Sequence, residues 1–247
     1  MPSVFFDIVG TCFSYDAAEE AVEERLGSKL VAYGLSAKLV FRHWLLSSER
    51  DTAYMAFAAR PRLPLADRWE MIFPRVLHSC GIPLDDLDGL FNKDDVRHIT
   101  DIYLYGLTPR PGLSEMLQTL KEGGIDCWCC SGASVERVKN YFARAGIDMP
   151  ETQIWDTSRV GASKPQLPVY ETLMSEWQEK LPGEVMIFGG AKARGFHTAY
   201  TTEYELFECA GMWGKPDVVA PDLASLAKAI VAKYGRQGQP PGRLVRR

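Results

Sequence analysis

The feature that most constrains this chain is a set of short apolar runs, each closed by small or polar residues. They lie at residues 4–11 (VFFDIVGT), 125–134 (IDCWCCSGAS) and 185–190 (VMIFGG), with a fourth candidate at 196–202 (FHTAYTT). Continuous apolar runs bounded by Gly and Ser have the pattern of strands buried on both faces, as in a parallel sheet. Helical patterns lie between them. Residues 113–122 place Leu113, Met116, Leu117 and Leu120 on one face, and Gly123-Gly124 stops that helix. Residues 135–145 repeat the arrangement and end at Gly146; 168–180 are followed by Pro182-Gly183; 223–234 start after Asp222, a good N-cap. Strands alternating with helices imply right-handed βαβ units and an α/β fold built on a parallel sheet.

Residues 14–106 break this alternation. They read as helix throughout (AAEEAVEERLGSKLVAYG, AKLVFRHWLLSSERDTAYMAF, LADRWEMIFPRVLHSC), with no buried strand among them. An all-helical block after the first strand reads as a cap inserted over the carboxyl edge of the sheet. The expected division is an α/β core from 1–14 and 107–235 and a helical cap over 15–106. The polar, Gly/Pro-rich stretch 236–247 is expected to be disordered.

With 247 residues the chain can bury one such core with its insertion. A net charge of -4 and a pI near 5.7 give no reason to expect nucleic acid or an anionic membrane as partner, which leaves small-molecule work. No apolar stretch reaches the ~18–20 residues that span a bilayer. The opening residues lack a basic leader and carry Asp7 inside the apolar run, a poor signal peptide. A cytoplasmic protein with reduced thiols is therefore expected. Cys127 and Cys130 form a C-x-x-C, but they lie in an apolar run that reads as a buried strand, where Cys serves as a small hydrophobe.

Ligands of open α/β sheets bind beyond the carboxyl ends of the strands, and polar residues of this chain gather there. Asp7 is expected to end the first strand, with Gly10-Thr11 able to turn around an anion. Ser131 ends the second run just before a helix, whose N-terminus favours negative charge. Lys164 (GASKP) precedes the helix at 168. Singly, each residue has an ordinary use as turn, cap or surface group. Together, a carboxylate, a hydroxyl and an ammonium make a coherent site. The carboxylate can attack an electrophilic centre and form an ester. A cation within ~4–6 Å favours its charged form, and Ser131 with backbone N–H groups can stabilise developing negative charge.

The ordered set FDIVGT, CCSG and SKPQLPVY resembles the haloacid dehalogenase superfamily, over nearly the whole chain from Val4 to about Tyr234. The resemblance implies a Rossmann-like core and places the helical insertion where that superfamily carries its cap. Its phosphatases have a second Asp where this chain has Val9, and acidic magnesium ligands after the fourth strand that VMIFGGAKARGF does not supply. The L-2-haloacid dehalogenase branch, which uses no metal or other cofactor, is the better match. It implies Asp7, Lys164 and Ser131 as catalytic residues, with Gly10, Thr11, Gly132 and Tyr170 around the substrate. In the cap, VFRHW is similar to the segment whose Arg grips halide or substrate carboxylate, which points to Arg42. Homodimerisation through the cap is a further implication.

Three departures stand out. The branch carries an aromatic residue where Val9 stands and Asn where Gly132 stands. Its Ser-x-Asn-x-x-Asp segment is missing between Gly190 and Ala191, with Lys192 and Arg194 near the gap. Three readings follow: a metal-independent hydrolase of the 2-haloacid dehalogenase type; a diverged enzyme of metabolite biosynthesis acting on a larger substrate as hydrolase, lyase or cyclase; or a binding protein that kept the fold without turnover.

Overall fold

The structure, a computed structural model, describes residues 2–58, 60, 63–164, 166–180, 185–187, 195–203 and 214–235. Gly189-Gly190, the expected gap after Gly190, Lys192, Arg194, Pro182-Gly183 and the stretch 236–247 lie outside them. In chain order the strands are β1 (Ser3–Phe6), β2 (Phe13–Ser14), β3 (Thr108–Pro109), β4 (Asp126–Ser131), β5 (Ile154–Asp156), β6 (Val185–Ile187), β7 (Ala199–Thr201) and β8 (Val218–Ala220). The helices are α1 (Asp16–Val31), α2 (Ala37–Phe57), α3 (Leu65–Ser79), α4 (Leu87–Leu90), α5 (Lys93–Tyr105), α6 (Leu113–Glu122), α7 (Val135–Arg144), α8 (Leu167–Lys180) and α9 (Leu223–Tyr234).

The chain forms an α/β core with an inserted helical unit, helical throughout between β2 and β3. Its contacts divide it into two compact units, residues 1–12 with 109–247, and residues 13–108. In the first, four strands run parallel in the order β5-β4-β1-β6. All four residues of β1 are buried, which is why that run carries no polar alternation. Phe5, Trp155 and Trp177 pack with Tyr170 and Leu173 of α8 on one side of the sheet. Trp177 meets both Phe5 and Trp128 edge-on, at 4.6 and 4.4 Å between ring centres, a favoured aromatic geometry. Helix ends follow local chemistry: the Asp222 side chain accepts from the Ser225 N–H and caps α9 as expected.

The helical unit has its own core, where Trp44, Trp69, Phe41 and Phe73 are all fully buried. The indole N–H of Trp69 donates to the Ser48 hydroxyl (2.8 Å), and that of Trp44 to the Trp69 carbonyl (3.2 Å). Both polar edges are thus satisfied inside an apolar cluster. The α5 helix starts with a capping box in which Asn92 and Asp95 exchange side chain and backbone bonds.

The strands are shorter than the apolar runs suggest. β1 stops at Phe6, and the Cys12 N–H turns back onto the Ile8 carbonyl at 3.0 Å. Residues 10–12 are therefore a turn, with Val9 before them in an isolated bridge, although Ile8 and Cys12 are buried. β7 forms a parallel pair with β8, and β5 joins the main sheet beside β4. Neither β5 nor β8 stands out in the sequence, because neither three-residue strand lies in a longer apolar run closed by small residues. Among the described residues no helix is long and apolar enough to cross a membrane.

The cysteine run lies on β4, where alternate side chains face opposite ways. Cys127 and Cys130, three apart, therefore point to opposite faces and cannot pair. Burial pushes the Cys130 thiol up to about 11 and that of Cys127 to about 12; Cys12 is also raised by burial. These thiols stay protonated at neutral pH, which removes the reactive thiolate. In native protein at pH 7.5, alkylation followed by peptide mass spectrometry is expected to leave Cys12, Cys129 and Cys130 unlabelled, and denaturant to expose all three. Labelling of Cys130 at its denatured rate would contradict its placement.

Candidate active site

Asp7 is the first residue beyond the carboxyl end of β1. Phe6 stands level with Cys129 of β4, and Ser131 at the end of β4 stands level with Asp156 at the end of β5. Three adjacent strands thus deliver polar residues to one edge. The loop after Asp7 turns at Gly10, whose φ of 86° lies in the left-handed region that a Cβ disfavours. That turn brings Thr11 back to the carboxylate, and its hydroxyl donates to Asp7 Oδ2 at 2.8 Å.

Lys164 comes from the opposite direction. Gly161, at φ 66°, ends the short helical turn after β5. Gln166 then closes the next loop on Ser163 twice: its side chain accepts from the Ser163 N–H (2.8 Å), and its own N–H donates to the Ser163 carbonyl (2.8 Å). Lys164 sits at the apex of this loop. Its Nζ donates to Asp7 Oδ1 at 2.5 Å and to the Cys130 carbonyl at 2.7 Å. One ammonium thereby ties the ends of β1 and β4 together and covers one oxygen of Asp7, while Thr11 covers the other.

Desolvation, the largest influence on Lys164, pulls its pKa down. The Asp7 charge, Cys130, the hydrogen bond to Asp7 and Tyr170 together outweigh it, and the net shift is upward. Tyr170, in the first turn of α8, is buried. Desolvation raises its phenol pKa against the lowering by Lys164, so it stays neutral. Ser131 is buried, and its Oγ accepts from the Ala133 N–H at 3.0 Å. It is not the cap of α7; Ser134 is, accepting from the Arg137 N–H. Gly132, next to Ser131, is exposed.

Arg42 lies on α2 in the helical unit. Its Nε and one terminal nitrogen both approach Glu19 Oε1 at 2.5 Å, and its guanidinium lies 4.9 Å over the Tyr15 ring. Lys38 shares the same carboxylate at 3.3 Å.

Two contributors are missed by sequence reasoning. Arg110 is buried, and its guanidinium donates to the Gly10 carbonyl (2.5 Å) while its backbone N–H donates to that of Cys12 (2.9 Å). It clamps both ends of the turn that carries Thr11. An Arg between two prolines reads locally as surface, and no periodicity marks it. Asp156 is missed along with β5; its carboxylate accepts from the Ser158 N–H (2.8 Å) and hydroxyl (2.7 Å).

A family model of haloacid dehalogenase-like hydrolases matches residues 1–192, more than half of the chain. The chain belongs to this family of hydrolases. A search of curated protein sequences finds no significant match. Among solved structures, the L-2-haloacid dehalogenase of Xanthobacter autotrophicus is similar in fold, with a TM-score of 0.67 at 18% identity over 92% of this chain and 97% of that one. A second structure is described as the same enzyme with chloropropionic acid covalently bound, at the same similarity. A hydrolase of the family from Deinococcus radiodurans, with bound phosphate and sodium, matches with a TM-score of 0.57 at 18% identity over 94% and 95% of the two chains. At such identities the likeness shows the shared fold. The family assignment rests on the sequence match.

Proposed function

We propose that this hydrolase cleaves the carbon–halogen bond of 2-halocarboxylates, with Asp7 as nucleophile. The observation that carries the reading is the pairing of Asp7 with Lys164 at 2.5 Å and Thr11 at 2.8 Å. It leaves a carboxylate fixed through both oxygens at the carboxyl edge of the sheet. A carboxylate oxygen attacks the halogen-bearing carbon, and the halide departs with the bonding electron pair. Water then adds to the resulting ester at the Asp7 carbonyl carbon, releasing the 2-hydroxy acid and restoring Asp7. Lys164 and Ser131 are assigned to orient the carboxylate and to stabilise charge in this second step. By resemblance, Arg42 receives the substrate carboxylate or the halide. Glu19 engages its Nε and one terminal nitrogen, and a guanidinium has further N–H groups to offer.

The reading takes the reaction to run without a metal. An ammonium lies on Asp7 Oδ1, and residue 9 is Val, without a second carboxylate. We assign the protein to the cytosol, where its buried thiols stay reduced. A larger substrate than in the related dehalogenases is the second reading. It is favoured by the exposed Gly132, which adds no side chain to the edge beside Ser131.

The test is an incubation with a panel of 2-chloro- and 2-bromocarboxylates in buffer containing EDTA. Halide and 2-hydroxy acid are expected in equal amounts, at rates that added magnesium does not raise. No halide from any member of the panel, with or without magnesium, would sink the reading.

A further inference from the structure

The same edge of the sheet carries a buried hydroxyl that the proposed chemistry does not use. Thr157 follows β5 and is fully buried, and its Oγ1 has no hydrogen-bond partner among the described residues. Burying a hydroxyl unpaired is unfavourable. Gly132 lies against it. A Cβ built on Gly132 would meet, its chain neighbours aside, one described heavy atom within 4 Å: Thr157 Oγ1, at 3.7 Å. Gly132 is itself exposed, so the space that lacks a side chain opens outward, with the solvent-sealed hydroxyl 3.7 Å beneath the position of that Cβ.

The sheet register sets this pair beside the nucleophile. Phe6 is level with Cys129, and Ser131 with Asp156. One residue further on, Asp7 comes level with Cys130 and Gly132 with Thr157. At ~4.8 Å between strands and ~3.3 Å per residue, the Asp7 and Gly132 backbones are roughly 8 Å apart along this edge. A group a few atoms out from the carbon next to Asp7 spans that interval. Asp156, the residue before Thr157, is engaged only by Ser158 in the bonds described above. A threonine hydroxyl both donates and accepts, so it pairs with a neutral hydroxyl without needing a countercharge.

We propose that Gly132 and Thr157 form a subsite for a neutral hydrogen-bonding substituent of the substrate, a hydroxyl two or three atoms from the carbon that Asp7 attacks. The proposal rests on the 2-halocarboxylate reading and narrows it to hydroxyl-bearing members of that class. Gly132 supplies the space, and Thr157 Oγ1 supplies the partner.

Product-like acids test it without turnover. The acids 2-hydroxybutanoate and 2,4-dihydroxybutanoate differ by the one hydroxyl in question, and calorimetric titration reads the binding of each. Wild-type protein is expected to bind the dihydroxy acid about tenfold more tightly, the scale of one hydrogen bond. Thr157→Val, which keeps the shape and removes the hydroxyl, should bring that ratio to about one with an unchanged or higher thermal midpoint. Gly132→Asn, which fills the space from the other side, should abolish the preference too.

A wild-type ratio near one, or a preference that survives Thr157→Val, overturns the subsite and leaves the dehalogenase reading standing. So does a thermal midpoint that drops in Thr157→Val, since that would mark the hydroxyl as structural. Failure of wild-type protein to bind either acid overturns the subsite alone if the 2-halocarboxylate panel still releases halide, and both readings together if it does not.

Discussion

Asp7→Asn is expected to lower kcat/KM on 2-halocarboxylates by at least about a thousandfold, because the amide that replaces the carboxylate is a poor nucleophile. The substitution preserves size and leaves an oxygen to accept from Thr11 or Lys164, so the fold should be undisturbed. Thermal midpoint and circular dichroism check that point. A second measurement separates nucleophile from general base. With wild-type protein, rapid quenching during turnover followed by peptide mass spectrometry should find the substrate's carboxyalkyl group, the substrate less its halide, added to the peptide containing Asp7. A base would leave that peptide at its native mass. Full activity in Asp7→Asn, or a turning-over wild type with no adduct on that peptide at any quench time, would refute covalent catalysis by Asp7.

Lys164→Met should cost about a hundredfold to a thousandfold in kcat/KM, the scale of removing one preorganised charged donor from a site. Methionine matches the length of the lysine stem but has no charge to place on Asp7 Oδ1, and it leaves the Cys130 carbonyl without its 2.7 Å donor. Lys164→Arg should recover little. A planar guanidinium cannot reproduce the two bonds that a compact ammonium makes from one point.

The pH dependence follows from the sign of the shift. The folded-state pKa of Lys164 is raised above its ordinary value of 10.5. The pair's contribution to stability is then fully present below 10.5 and is lost as pH rises through the higher folded value. The stability gap between wild type and Lys164→Met, read from urea midpoints, should stay constant from pH 7 to about 10 and narrow above that. A gap that closes between pH 7 and 9 would mean that another group is titrating.

How far the site could be read in advance varied by residue. Asp7 and Lys164 have ordinary uses singly and were picked out by the ordered set FDIVGT, CCSG and SKPQLPVY and its resemblance to a known family; the structure brings the two side chains together. Thr11 was legible through its neighbour Gly10. Arg42 could be singled out on α2, but its pairing with Glu19 on α1 could not, since the two are 23 residues apart. Arg110 and Thr157 were not legible at all. One sits in a stretch with no periodicity, and the other follows a strand of three residues. The value of each comes from what folds against it.

The sequence by itself determined the α/β alternation, the helical insertion after the first strand, the bounds of α2, α6 and α9, and the residue types at the sheet's carboxyl edge. Those are consequences of short-range periodicity and of Gly, Pro and capping residues, which act within a few positions. Tertiary structure decided that Lys164 reaches Asp7 across 157 positions, that it also bonds Cys130, and that Arg110 locks the Gly10 turn from 100 positions away. No local propensity encodes such distances. They are fixed when β1, β4 and β5 pair in parallel, because the register of the sheet chooses which loop ends meet.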